Sequence, residues 1–312
     1  MATKPDAPVL AAVNGTEASL RALDWAADEA LMRDRSLRIV YAFDWPLYHR
    51  VPLSVPGFSA ERLAQGVVDE AERRAAERAP GLRTTAVFKV GDAAPVLMME
   101  SAEAELAVIG SRLQSRLGAV LLGSTGLELA AAGRCPVVVV PDRDPKPPVR
   151  RIVVGLDGSA SARAAAEWAF AAAARRGAAL RAVIAHEPVS RRLMGHWEAP
   201  VRDGAEQAEL RLLSESLAGL REHHPQVEVE ESAVPGHPAQ VLADASAGCD
   251  LLVVGSRGRG GFTGMLLGSV SQSALTHASV PVAVVPSAHC PPPHIERRTP
   301  MPRTTAEAMT AG

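Results

Sequence analysis

The chain has 312 residues, 47% of them hydrophobic and 22% charged, with a formal net charge of −2. That length makes one large or two ordinary domains, and the composition is that of a globular protein rather than a disordered or fibrous one. The charge excludes a nucleic-acid binder that relies on a basic surface.

Taken in chain order, the sequence is written twice. The stretch from Asn14, "NGTEASLRALDWAADEALMRDRSLRIVYAF", aligns without a gap on "DGSASARAAAEWAFAAAARRGAALRAVIAH" from Asp157, a shift of 143 positions. Further on, "VGDAAPVLMMESAEAELAVIGSR" meets "PGHPAQVLADASAGCDLLVVGSR" and "GRCPVVVVPD" meets "HASVPVAVVPS", both at a shift of 145. A period this long is a duplicated domain and not a solenoid. The seam is the proline-rich, charged stretch "PDRDPKPPVR" from Pro141 to Arg150.

After the seam, "RIVVGLD" is a short apolar β-run, and "SASARAAAEWAFAAAARRG" is an alanine-rich helix opened by Ser159 or Ser161 and closed by Gly177. Thr16 is the matching N-cap of the first copy. "LRAVIAH" is the next strand, "AEQAELRLLSESLAGLREHH" has helical spacing, and "VEVEESAV" alternates as a strand. "PAQVLADASAG" is a helix, "DLLVVGS" a buried strand, "GSVSQSALTHA" a helix and "VPVAVVP" the last strand. Continuously apolar strands separated by helices imply a parallel sheet covered on both faces. The expected fold is α/β: a Rossmann-like, doubly wound five-stranded sheet built in tandem, over residues 6–141 and 150–286, with a polar, proline-rich and disordered tail over 287–312.

Cys135, Cys249 and Cys290 show no CxxC spacing and cannot all pair, so neither a disulfide framework nor a zinc site is suggested and a reducing compartment is. "APVLAAV" near the start is too short for a signal-peptide core, and no run approaches the roughly 18 apolar residues of a membrane helix. A cytoplasmic protein without nucleic-acid or membrane partners is expected.

The stretch "GSRGRGGFTGMLLGSVSQS" holds six glycines in its first fourteen residues, Gly255 to Gly268. In doubly wound sheets ligands bind beyond the carboxyl ends of the strands, where strand order reverses. A bare loop there, followed by a helix that opens at Gly268 and Ser269, suits phosphate. The P-loop alternative lacks its Gly-Lys-Ser/Thr, because none of the three lysines follows a glycine. GxGxxG also fails, with Thr263 where the third glycine should stand.

What remains is Gly255-x2-Gly258-x9-Gly268-Ser269. With "VVGLDGS" at the start of the copy and "VPVAVVP" at its end, it resembles the universal stress proteins, in their tandem ATP-binding form and with the adenine nucleotide α-hydrolase-like fold. The resemblance implies that Asp157 contacts the nucleoside part of ATP and that the backbone around Ala185 meets adenine. It also implies that Gly255, Arg257, Gly258, Gly268, Ser269, Val270 and Ser271 surround ribose and phosphates, with Mg²⁺ as an accompanying ion. In the first copy the matching positions are Asn14, Ala42, Gly110, Arg112, Gly123, Ser124 and Thr125. There Leu113 replaces the second glycine and Asn14 the acid, so nucleotide is expected chiefly in the second copy. The resemblance further implies that the last strands of the two copies pair inside one chain as a pseudo-dimer, with homodimerisation open.

No lysine, carboxylate pair or metal cluster stands beside the expected phosphates, which favours a regulatory module over an enzyme. Two rivals stay open: slow ATP hydrolysis or phosphotransfer steadied by Arg257 or Arg259, and an interaction protein that binds no nucleotide. Trp25 and Trp168 read as core, Cys135 as a small buried hydrophobe, and His223 and His224 as surface residues at a helix end. His186 is either a nucleotide contact or a loop residue, and His237 lies at a helix start. The segments Asp44–Glu61 and Glu187–Gly204 are flaps, a partner surface or variable loops.

Overall fold

The computed structural model describes residues 6–43, 60–113, 120–121, 123–144, 146–186, 202–259 and 267–287. The tail expected beyond Ser287, and most of the segments 44–61 and 187–204, lie outside these residues.

The first half runs β1 (Val9–Val13), α1 (Glu17–Met32), β2 (Leu37–Phe43), α2 (Ala60–Arg78), β3 (Thr84–Val90), α3 (Ala93–Ser101) and β4 (Leu106–Gly110). A small hairpin, β5 (Arg112–Leu113) with β6 (Val120–Leu121), leads to α4 (Ser124–Ala132) and β7 (Val137–Val140). The second half repeats this as β8 (Arg151–Leu156), α5 (Ala160–Arg176), β9 (Ala179–His186), α6 (Arg202–His223), β10 (Val229–Pro235), α7 (Pro238–Ala245), β11 (Leu251–Gly255), α8 (Ser269–His277) and β12 (Val282–Val285). The caps are the ones read from sequence. Thr16 accepts from the Ser19 amide and Ser159 from the Ala162 amide, and Gly177 ends α5 with a φ of +55° that only glycine adopts at no steric cost.

All ten main strands form one sheet in the order β10-β9-β8-β11-β12-β7-β4-β1-β2-β3. Within each half neighbours are parallel, and alternate residues of a strand enter opposite apolar layers. Val9, Ala11 and Val13 meet α1, whereas Leu10 and Ala12 join the layer of Val96, Leu97 and Leu129 from α3 and α4. The alanine-rich faces of α1 and α5 let these helices lie close to the sheet, with Ala26, Ala27 and Ala30 and then Ala165, Ala166 and Ala169 buried. The halves join where β12 pairs antiparallel with β7, Val282 opposite Val139 and Val284 opposite Val137. This pairing removes two sheet edges at once.

A polar seam crosses the same junction. Trp25 and Trp168, at equivalent places in the repeat, do pack on the core, and each also lies under an arginine of the other half. The Arg33 guanidinium is 5.3 Å from the Trp168 ring and the Arg176 guanidinium 5.6 Å from the Trp25 ring. Between them Glu29 is fully buried. Its carboxylate accepts from Arg33 Nε at 2.5 Å and from Arg176 Nη2. Arg33 also reaches Glu105 at 2.7 Å. The repeat counterpart of Glu29 is Ala172, so one carboxylate serves two buried cations. Among the described residues Cys135 and Cys249 are free and buried, and burial pushes their thiols up, to about 12 and about 11. His224, read from sequence as a surface residue, stacks on buried Phe170 at 5.9 Å.

Removing one partner of a buried ion pair strands the other charge and costs about 3–5 kcal/mol. Glu29→Ala is therefore expected to lower the unfolding free energy measured in urea by that order. A loss below about 1 kcal/mol, the scale of an exposed pair, would show that the seam is solvated.

Candidate functional site

In the second half the strand order reverses between β8, β9 and β11, and a cavity of about 470 Å³ opens at their carboxyl ends. All nine second-half residues expected at a nucleotide line it. Asp157 and Ala185 come from the ends of β8 and β9, Gly255, Arg257 and Gly258 from the end of β11 and its loop, and Gly268 to Ser271 from the start of α8. Val183, Pro238 and Leu242 add an apolar wall, and Arg259 a second guanidinium.

The loop after β11 is held by hydrogen bonds to four side chains. Asp157 Oδ1 accepts from the Ser159 amide at 2.9 Å, while Oδ2 accepts from the Arg259 amide at 2.9 Å. Ser161 Oγ and Ser159 Oγ both donate to the Arg257 carbonyl, the second at 3.3 Å. Ser271 Oγ donates to the Gly255 carbonyl at 2.6 Å. Of these, Ser161 is a contact that the sequence reading did not assign. The signal lay in the repeat, where Ser161 stands opposite Ala18.

The glycines are bare for different reasons. A Cβ on Gly258 would lie 2.7 Å from Asp157 Oδ2, so the loop can cross the carboxylate only without a side chain. A Cβ on Gly255 would lie 2.8 Å from the Ser161 backbone, and one on Gly110 2.3 Å from the Ala18 carbonyl. Gly255 thus borders the cavity, but its bareness is required by the adjoining helix, which explains why both copies keep it. Gly268 has room for a Cβ, and its amide is already given to the Ser256 carbonyl at 2.8 Å. Ser271 is buried, 3% exposed, and its hydroxyl is spent inside the protein. Among the described residues, the first-turn amides of α8, which no side chain caps, the exposed Ser269 and the two arginines are left to meet an anion. Gly260, Gly261 and Gly264 lie outside the described residues.

His186 ends β9, and its Nε2 is buried without a hydrogen-bond partner in the described structure. His237 is the N-cap residue of α7.

The first half places its counterparts at the same addresses but does not bring them together in the same way. Asn14 follows β1, and its Oδ1 accepts from Thr16 Oγ1 at 2.6 Å and the Thr16 amide at 3.2 Å. Ala42 lies in β2, Gly110 ends β4, Gly123 caps α4, and Ser124 and Thr125 form its first turn. Arg112 and Leu113 form β5 instead of a bare loop, paired with Leu121 and Val120, and β6 lies against α8 of the second half. An asparagine offers a single carbonyl oxygen and turns an NH₂ donor where Asp157 has its second acceptor. Ala18 and Gly126 stand where Ser161 and Ser271 supply hydroxyls, so the loop's other ties are missing as well.

The sequence profile described as the universal stress protein family matches residues 7–141 and again 148–286. A universal stress protein of Mycobacterium tuberculosis is 37% identical over 289 residues, covering 88% of this chain and 96% of its own length. One from Mycolicibacterium smegmatis is 33% identical over 291 residues, with 89% and 96% covered. Among solved structures, a universal stress protein from Archaeoglobus fulgidus superposes over 91% of this chain and 100% of its own, with a TM-score of 0.70 at 21% identity, which speaks for the fold. Two profile matches in tandem and relatives that align along nearly their whole length lead to one statement: this chain belongs to the universal stress protein family, with two copies of the family's domain.

Proposed function

We propose that the chain is a cytoplasmic, nucleotide-responsive module of the stress response, that it binds ATP in the second half, and that it is not an efficient enzyme. The observation that carries this reading is the cavity crossed by Gly258, where Asp157 pins the loop through the Arg259 amide. The acid suits ribose hydroxyls, the wall of Val183, Ala185 and Leu242 suits a flat base, and the α8 amides with Arg257 and Arg259 suit phosphates. Among the described residues no group of three or more His, Cys, Asp and Glu side chains is placed to hold a metal, so Mg²⁺ would be carried by the phosphates. The two family domains, joined through β7 and β12, act as an intramolecular pseudo-dimer in which the first half is a partner and not a second binding site.

Mass spectrometry of the small molecules released on denaturing the purified protein is expected to show ATP. Gly258→Leu, which copies Leu113, is expected to abolish that cargo while circular dichroism stays unchanged; retained ATP would refute the assignment of the loop. Asp157→Asn sets a donor against the Arg259 amide. Since hydrogen bonds to charged groups are worth about 1.5–3 kcal/mol, calorimetric ATP affinity should fall about 10- to 100-fold, and an unchanged affinity would contradict the pin. Bound ATP is expected to stay intact over hours. Steady release of ADP, lost in an Arg257 variant, would favour the enzymatic reading instead.

A further inference from the structure

Gly155 stands inside β8, and a glycine within a strand weakens it and often marks a close approach. Its φ is not in the left-handed region, so the backbone does not ask for glycine there. A neighbour does. A Cβ on Gly155 would lie 2.6 Å from Leu242 Cδ1 and 3.0 Å from Cδ2, closer than packed carbons come. Leu242, on α7 and buried, therefore rests on the bare backbone of β8. Both residues line the nucleotide cavity, together with Val183, which is paired with Gly155 in the sheet.

The repeat sets Ala12 on Gly155 and Leu97 on Leu242. Ala12 and Leu97 are buried in the same apolar layer of the first half. The first half thus keeps the leucine but has a methyl on the strand, and Leu97 cannot seat on β1 as Leu242 seats on β8. By the same geometry a methyl at position 155 drives the isobutyl group of Leu242 off the strand. The apolar layer around Leu242 is close-packed, so the free volume open to that group is the cavity it lines.

We propose that Gly155 and Leu242 set the size of the base pocket. The bare strand position lets Leu242 withdraw far enough for a two-ring base, and the site selects purine over pyrimidine nucleoside triphosphates. A one-ring base would leave part of the wall of Val183, Ala185 and Leu242 uncovered. Gly155 acts through Leu242, as a positioning residue. The proposal rests on the reading that this cavity takes a nucleotide.

The test is an NMR titration of the full chain with ATP and with CTP, read at the amides of Ser269 to Ser271 so that weak binding is also measured. One methylene in a hydrophobic pocket discriminates by roughly 10- to 200-fold, and the wild-type chain is expected to prefer ATP over CTP by about tenfold or more. Gly155→Ala, which copies Ala12, is expected to weaken ATP about tenfold or more and CTP less than about threefold. Adding Leu242→Val removes the δ-methyls that the new methyl meets, and is expected to return ATP to within about threefold of wild type. Leu242→Phe enlarges the wall residue itself and is expected to weaken ATP in the same sense. Equal wild-type affinities, ATP unaltered in Gly155→Ala, ATP and CTP weakened alike, or no recovery in the double variant would overturn the proposal. If Gly155→Ala fails to fold, ATP affinity unaltered in Leu242→Phe overturns it instead. A wild-type chain that binds no ATP overturns the proposed function as well, whereas ATP binding that the variants leave unaltered overturns the pocket alone.

Discussion

One carboxylate organises the carboxyl ends of the strands in the second half. Asp157 is the first residue after β8, and its two oxygens take amides from two different segments, Ser159 at the start of α5 and Arg259 in the loop after β11. Strand, helix and loop are thereby fixed to one another on one side of the cavity. The arrangement sets its own demand on the chain: the loop crosses so close to Oδ2 that position 258 has space for glycine alone. Ser161 and Ser271 then hold the carbonyls of Arg257 and Gly255, so the loop's donors and acceptors are directed by the protein before any ligand arrives. Such preorganisation is what lets several individually weak amide contacts act together on an anion.

Duplication provides an internal comparison in which fold and topology are held constant. Where the second half has Asp157, Ser161, Gly258 and Ser271, the first has Asn14, Ala18, Leu113 and Gly126, and its loop pairs with itself as a hairpin. Where the first half has Glu29, the second has Ala172. The exchanges run in both directions. The first half contributes the carboxylate that bridges the buried arginines of the seam, and the second contributes the open cavity.

Much of the fold was legible because its signals are local. The unbroken apolar runs "RIVVGL" and "PVVVV" can only be strands covered on both faces, Thr16 and Ser159 mark helix starts, and Gly177 is the left-handed stop. The nine second-half positions were named through the family resemblance that the spacing of Gly255, Gly258 and Gly268 carries, and they line one cavity from the ends of β8, β9 and β11 and the start of α8. What spacing could not convey is the partner of each group. Gly255 and Gly258 look alike in sequence, yet one is bare for a helix and the other for a carboxylate. Ser271 looks like a phosphate ligand and is a buried tie. The cross-half stacking of Arg33 on Trp168 and Arg176 on Trp25 was invisible because it depends on how the two halves join through β7 and β12, and the same holds for the sharing of Glu29. The hairpin of the first half was hidden for another reason: two-residue strands leave no periodicity to read.

The two like domains are expected to differ in function, with a single nucleotide site in the chain. Equilibrium titration of the whole chain with ATP measures that number directly. One ATP per chain is the expected stoichiometry; two, or none, would contradict the claim that the Asp157 loop makes the difference between the halves.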